Sequence, residues 1–328
     1  ITADVVRAAD ALLVRSVTPV NEALLAGSRV RFVATATIGT DHVDEAWLAR
    51  HGIGFASAAG SNANSVAEYV IAALLELAHR GGYRLRDKSL GVIGVGNVGS
   101  KLVRYARALG LRVWRDDPLL GLREPAREAD IVTLHVPLLP TTRHLFHRDN
   151  LTGFTLVNTS RGPVVDNPAL LKALDGNRIP AAVLDVWEGE PNISPELLDA
   201  VDLGTPHIAG YSFDGKVAGT RMIYEAFCCH FDLAPAWQPI LPPGPAIELT
   251  VRPGEDDEDA LRRLIRHNYD ITADDAALRR DPRAFDKLRA EYPVRREFHT
   301  ARLTLTGAGP ALLAKIAALG YRVASAAA

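Results

Sequence analysis

Sulfur is scarce in this chain of 328 residues, which has one methionine and two cysteines, Cys228 and Cys229, side by side. Adjacent cysteines cannot staple a domain, so the fold must rest on packing, and a reducing, cytoplasmic setting is the expectation. No apolar run reaches the roughly 20 residues that span a bilayer, so no membrane segment is predicted. No secretory leader is expected before the first apolar run, ALLVRS. Neither sign of charge is in excess: the formal net charge is −2, with 23% charged residues. A nucleic-acid or membrane surface bound by bulk charge is therefore not expected. The ten histidines are scattered. Cys228, Cys229 and His230 are neighbours in a helical pattern and point in different directions, so no metal site is predicted.

What the chain does have is apolar residues, 48% of the total, in a length that exceeds one core and predicts two or three domains. Short apolar runs alternate with helix-period segments: ALLVRS at 11–16, VRFVATAT at 30–37, a helix from Asp44 to His51, then IGFAS. A long amphipathic helix follows, with Asn64 as its expected cap and Gly81-Gly82 as its end. Beyond it come SLGVIG, a helix over 98–109, LRVW, ADIVTLHV, TLVNTS, AAVLDVW and DLGTP. Strands apolar throughout and interleaved with helices belong in a parallel sheet covered on both faces. A second long helix, 216–231, leads to the proline-rich PAWQPILPPGP, which reads as a linker. The remainder predicts a small α+β unit with its own core. The expected organisation is thus 1–63, a connecting helix 64–82, a dinucleotide-type domain 83–210, a return helix 211–234 and a C-terminal module 246–328.

GVGNVG places Gly94, Gly96 and Gly99 in G-x-G-x-x-G spacing, directly after a strand and before a helix. Gly94 permits the tight turn, Gly96 lets a pyrophosphate approach the backbone, and Gly99 lets helix and strand pack closely. Asp117, just past the next strand, can accept hydrogen bonds from ribose hydroxyls and would repel a 2′-phosphate, which favours NAD over NADP. Arg115 pulls the other way, since an arginine there would welcome that phosphate.

Three charged residues each stand just beyond a later strand: Arg161 in NTSRGPVVD, Glu190 in LDVWEGEP and His207 in TPHIAGY. Oxidation of a 2-hydroxy acid needs a cation for the carboxylate, a base for the hydroxyl proton and a hydride acceptor. Arg161 can hold a carboxylate bidentately, His207 can take the proton, and Glu190 can orient and charge the imidazole. Singly, each of these residues has an ordinary structural role. It is their company, after a dinucleotide turn, that points to chemistry.

GVGNVG, LVNTSRGPVVDNPAL, AAVLDVWEGEP and TPHIAG, in this order, resemble the D-isomer-specific 2-hydroxyacid dehydrogenases. LLVRSVTPVNEALLAG, RFVATATIGTDHVD and the tail NYDITADDAALRRDPRAFDKLRAEYPVRRE narrow the resemblance to a branch with an added C-terminal module. The resemblance implies a Rossmann-type doubly wound parallel sheet, a flavodoxin-like substrate domain and a C-terminal α+β dimerisation domain that makes a homodimer. It implies NAD-dependent oxidation of 4-phospho-D-erythronate to (R)-3-hydroxy-2-oxo-4-phosphonooxybutanoate, in pyridoxal 5′-phosphate biosynthesis. Arg161, Glu190 and His207 fall on the catalytic residues. Cofactor contacts fall on the glycine turn with Asn97 and Val98, and on Asp117, Val136, Thr159, Ser160, Asp185 and Gly210. Substrate contacts fall on Ser16, Thr37 and Tyr211. Val136 stands where relatives carry threonine. The family also begins with a strand and helix upstream of ALLVRS, and that unit is expected to be missing here. The stretch RDDPLLGLREPAREADIV is too short for the family's usual helix. The alternatives are a phosphoglycerate or glyoxylate/hydroxypyruvate type of 2-hydroxyacid dehydrogenase, and an NAD-sensing scaffold without catalysis.

Overall fold

A computed structural model describes residues 1–327, which divide into two compact units, 1–62 with 213–242 and 63–212 with 243–327. In the first unit, β1 (Ala11–Val14), β2 (Phe32–Thr35) and β3 (Gly54–Ser57) form a parallel sheet in that order. Alternation along β2 serves both faces of this sheet. Val33 joins a core with Leu12, Val14, Leu25 and Leu48, whereas Phe32 and Ala34 meet Ile223 of the helix Phe213–His230. Asn21 and Asp44 cap the short helices Glu22–Leu25 and Glu45–Arg50 by accepting the N–H groups of Leu24 and Trp47. His230 stacks on Phe32 with ring centroids 4.7 Å apart.

In the second unit the helix Ala63–Gly81 comes first. Asn64, the expected cap, instead lies within its first turn, and its amide donates to Glu297 Oε2 at 3.1 Å. The central strands follow: β4 (Ser89–Ile93), β5 (Arg112–Asp117), β6 (Leu122–Arg123), β7 (Ile131–Leu134), β8 (Thr155–Asn158), β9 (Ala182–Leu184) and β10 (Leu203–Gly204). Their order is β10-β9-β8-β7-β4-β5-β6, all parallel except the edge strand β6. β4 lies between β5 and β7, which makes the β4/β7 boundary the point where strand order reverses and where ligands of open α/β sheets bind. Between β5 and β7 the short segment makes β6 flanked by two 3₁₀ turns, Pro118–Leu120 and Ala126–Glu128, in place of an α-helix.

The C-terminal strands β11 (Ala246–Thr250), β12 (Arg302–Thr306) and β13 (Arg322–Ala327) pair in parallel. β11 and β12 alternate strictly between exposed and buried residues, so this sheet has one face to cover. Ile247, Leu249, Leu303 and Leu305 belong to the same apolar cluster as Leu74, Val92 and Leu102. The core expected to be this module's own is instead shared with the central sheet and its helices. Its helix Asp257–Asn268 packs on Ala63–Gly81, and Pro310–Ala318 packs on the helix Asn97–Ala108.

Candidate active site

The turn after β4 is built around backbone proximity. Gly94 sits at φ 88°, and a Cβ there would stand 2.8 Å from the backbone carbonyl of His135. A Cβ on Gly99 would run into the Gly94 carbonyl oxygen, whereas Gly96 faces open space. Asn97 and Val98 open the helix Asn97–Ala108, so its first N–H groups lie at the carboxyl edge of the sheet. At the end of β5, Asp117 Oδ2 accepts the Val95 N–H at 2.8 Å and Oδ1 accepts that of Leu119 at 3.1 Å. The carboxylate thus braces the glycine turn while remaining partly exposed. Arg115 is engaged by Glu124, with Nε 3.0 Å from Oε1, and is held toward β6. That pairing neutralises a cation that would otherwise favour a 2′-phosphate. Val136 sets an apolar wall against Gly94. Room at Gly96, N–H groups at a helix start and an aspartate without an opposing free arginine fit NAD.

β8, β9 and β10 are neighbours in the sheet and parallel, so the residues just after them gather on one edge. His207 Nδ1 lies 2.8 Å from Glu190 Oε2, and Glu190 Oε1 accepts the Trp187 N–H at 2.8 Å. Burial alone would raise the Glu190 carboxyl. The hydrogen bond and charge of His207, with the Trp187 N–H, outweigh it and hold the group below the usual carboxylate range. A carboxylate at Nδ1 selects the tautomer with the proton there, which leaves the Nε2 lone pair as the proton acceptor. His207 itself has φ 56°, the left-handed region. Its N–H donates to the Asp185 carbonyl at 2.7 Å. The Asp185 carboxylate accepts from Thr205 Oγ1 and the Ile208 N–H at 2.7 Å each, and from the Ala209 N–H at 3.0 Å. Burial pushes the Asp185 carboxyl up, against those donors and the charge of His207.

Arg161 follows β8 and donates from Nη1 to the Ser160 carbonyl at 2.8 Å. Asn158 fastens the turn: its Oδ1 accepts from the Ser160 N–H at 3.1 Å and from Oγ at 2.8 Å, and its Nδ2 donates to the Arg161 carbonyl at 3.1 Å. A Cβ on Gly162 would run into the Trp187 carbonyl. The arginine turn therefore lies directly against the segment that carries Glu190.

Sequence reasoning overlooked several neighbours of these groups. Gly162 was visible only as part of SRGP, and its need appears once Trp187 is placed. His135, at the end of β7, lies 3.4 Å from Thr159 Oγ1 and 3.0 Å from Thr133 Oγ1. Burial pushes its imidazole down to about 3, which keeps it neutral. The position just after ADIVTL was the signal for it. Tyr69 extends the Asp185 network through a 2.7 Å bond to Thr205 Oγ1, a pairing too distant in sequence to foresee. Gly210 is half-buried, and Tyr211 donates its N–H to the Ile208 carbonyl at 2.8 Å. Ser16 and Thr37 belong to the other unit. Ser16 is exposed after β1, and Thr37 Oγ1 donates to the Gly39 carbonyl at 2.9 Å. Glu68, Glu297 and His299 bring ligand-type atoms within 4.8 Å of one another. Both Glu297 oxygens already accept, from Ser212 Oγ and the Asn64 amide.

A family model described as the NAD-binding domain of D-isomer-specific 2-hydroxyacid dehydrogenases matches residues 62–209, and one for a domain of unknown function matches 240–320. Together with the glycine turn and the strand-end charges, this defines an NAD-dependent 2-hydroxyacid dehydrogenase. Erythronate-4-phosphate dehydrogenase of Edwardsiella ictaluri (strain 93-146) is 47% identical over 95% of this chain and 89% of its own length. That of Salmonella arizonae is 46% identical over 93% and 86%. Among solved structures, the NAD-dependent formate dehydrogenase of Staphylococcus aureus in complex with NAD has 25% identity and a TM-score of 0.57, covering 70% of this chain and 82% of its own. The chain belongs to the erythronate-4-phosphate dehydrogenase family.

Proposed function

We propose that this protein oxidises 4-phospho-D-erythronate to (R)-3-hydroxy-2-oxo-4-phosphonooxybutanoate with NAD, a step of pyridoxal 5′-phosphate biosynthesis in the cytoplasm. The observation that carries the reading is the 2.8 Å His207–Glu190 pair on the sheet edge that also bears Arg161, in a chain 47% identical to a relative named for this reaction. Arg161 holds the substrate carboxylate through its planar guanidinium. His207 Nε2 takes the hydroxyl proton as the O–H electron pair becomes the new carbonyl bond, and Glu190 stabilises the imidazolium so formed. Bound NAD supplies the acceptor for the hydride that leaves C2. Residues Gly94, Gly96, Asn97, Val98 and Gly99 hold its pyrophosphate and Asp117 its ribose, with Val136, Thr159, Ser160, Asp185 and Gly210 as further contacts. Ser16, Thr37 and Tyr211 bond the polyhydroxy acid. Residues 1–63 with 211–234 serve the substrate, 83–210 serve NAD, and 246–328 join a second copy. NAD reduction measured anaerobically across phosphorylated and unphosphorylated 2-hydroxy acids tests the substrate. We expect clear preference for 4-phosphoerythronate; equal rates with glyceric or lactic acid would overturn it, and NAD binding without turnover would leave only a scaffold.

A further inference from the structure

The C-terminal module sets a cation against Tyr211. Arg289 lies in the last turn of the helix Phe285–Ala290. Its guanidinium carbon is 5.6 Å from the ring centroid of Tyr211 and 5.9 Å from that of Phe285. Tyr292 meets Tyr211 edge-on, with centroids 6.0 Å apart at 81°, and donates its hydroxyl to Asp274 Oδ2 at 2.7 Å. Two aromatic faces thus seat the guanidinium, an arrangement that holds a cation without neutralising it. Its ion-pair partner, Asp286, is 3.7 Å away and largely exposed, so the pairing screens the charge weakly. The Nε atom is buried and makes no hydrogen bond. Arg289 also weakly favours the ionised form of Glu190, behind the hydrogen bond and charge of His207 and the Trp187 N–H.

We propose that Arg289 is a positioning residue for the reaction: lying against both Phe285 and Tyr211, its guanidinium fixes the orientation of the Tyr211 ring for substrate. The C-terminal module then shapes the substrate site of its own chain.

This inference rests on the dehydrogenase reading, and one experiment separates the two. kcat and KM for 4-phosphoerythronate are measured separately for the wild type, Arg289→Met and Arg289→Lys, with thermal unfolding recorded for each. With methionine, KM rises about 10-fold while kcat and the melting temperature change little, because the substrate-facing ring is no longer fixed. Lysine recovers only part of the KM, because it returns the charge without the planar stack. A methionine variant with KM within two-fold of wild type overturns the role of Arg289 alone. Joint loss of kcat and melting temperature in both variants, with no separate change in KM, overturns that role too. Wild-type protein that turns over no 2-hydroxy acid overturns the dehydrogenase reading as well.

Discussion

Two turns leave the same sheet edge and solve one backbone problem differently. After β4 the left-handed position is Gly94, at φ 88°; after β10 it is His207, at φ 56°. An aspartate braces each turn, Asp117 through the Val95 N–H and Asp185 through those of Ile208 and Ala209. Glycine adopts that conformation freely, and its missing Cβ lets the His135 carbonyl come close. Histidine pays about 1–2 kcal/mol for it, and the surrounding hydrogen bonds over-determine the turn so that the imidazole points at Glu190. The first turn leaves open space at Gly96, and the second sets an imidazole against a carboxylate.

The largest expected effect lies in the second turn. His207→Ala should lower kcat by roughly 10²-fold or more while calorimetric titration shows NAD affinity unchanged; near-normal turnover would remove the histidine from the chemistry. Next comes the first turn, where Gly94→Ala adds both a strained φ and a backbone clash. We expect a loss of about 2 kcal/mol in denaturant unfolding together with at least about 10-fold weaker NAD binding. Unaltered NAD affinity would show that the turn does not cradle the cofactor.

A smaller effect depends on pH. The Glu190 carboxyl is held below its usual value, so its ionic contribution is present above the unfolded value of about 4.3 and is lost as pH falls through the depressed folded value. Glu190→Gln should therefore cost about 1 kcal/mol of unfolding free energy at neutral pH and little in strong acid. An equal cost at both would mean that packing, not charge, is what the glutamate supplies. The smallest effect compares two replacements of His207. The glycine variant should be more stable than the alanine variant by about 1 kcal/mol, because only alanine retains the left-handed penalty; equal stability would erase the contrast between the turns.

Much of the architecture was legible along the chain because it depends on local periodicity. Apolar runs such as IVTL and TLVN marked central strands, and the glycine spacing marked the turn before the helix Asn97–Ala108. Boundaries set by non-local partners were less legible. Asn64 looked like a cap but lies inside its helix, where Glu297 takes its amide. The C-terminal module looked self-contained, yet its one-faced sheet buries Leu249 and Leu303 in a core shared with Leu74. The short stretch between β5 and β7 betrayed the lack of a helix, but not the edge strand that captures Arg115 through Glu124.

By itself the sequence determined which chemical groups this chain offers at its strand ends: three spaced glycines, an aspartate, an arginine, a glutamate and a histidine. Side-chain identity and strand period are local properties, so they can be read along the chain without knowing what packs where. Tertiary structure alone decided which of them act on one another. Only strand order places β9 between β8 and β10, which brings Glu190 within 2.8 Å of a histidine 17 positions away. Only packing of the C-terminal module sets Arg289 against Tyr211, 78 positions earlier. Interactions between charges fall off with distance in space and are indifferent to distance along the chain, which is why LGTPHIAGY names a histidine and the fold gives it a carboxylate partner.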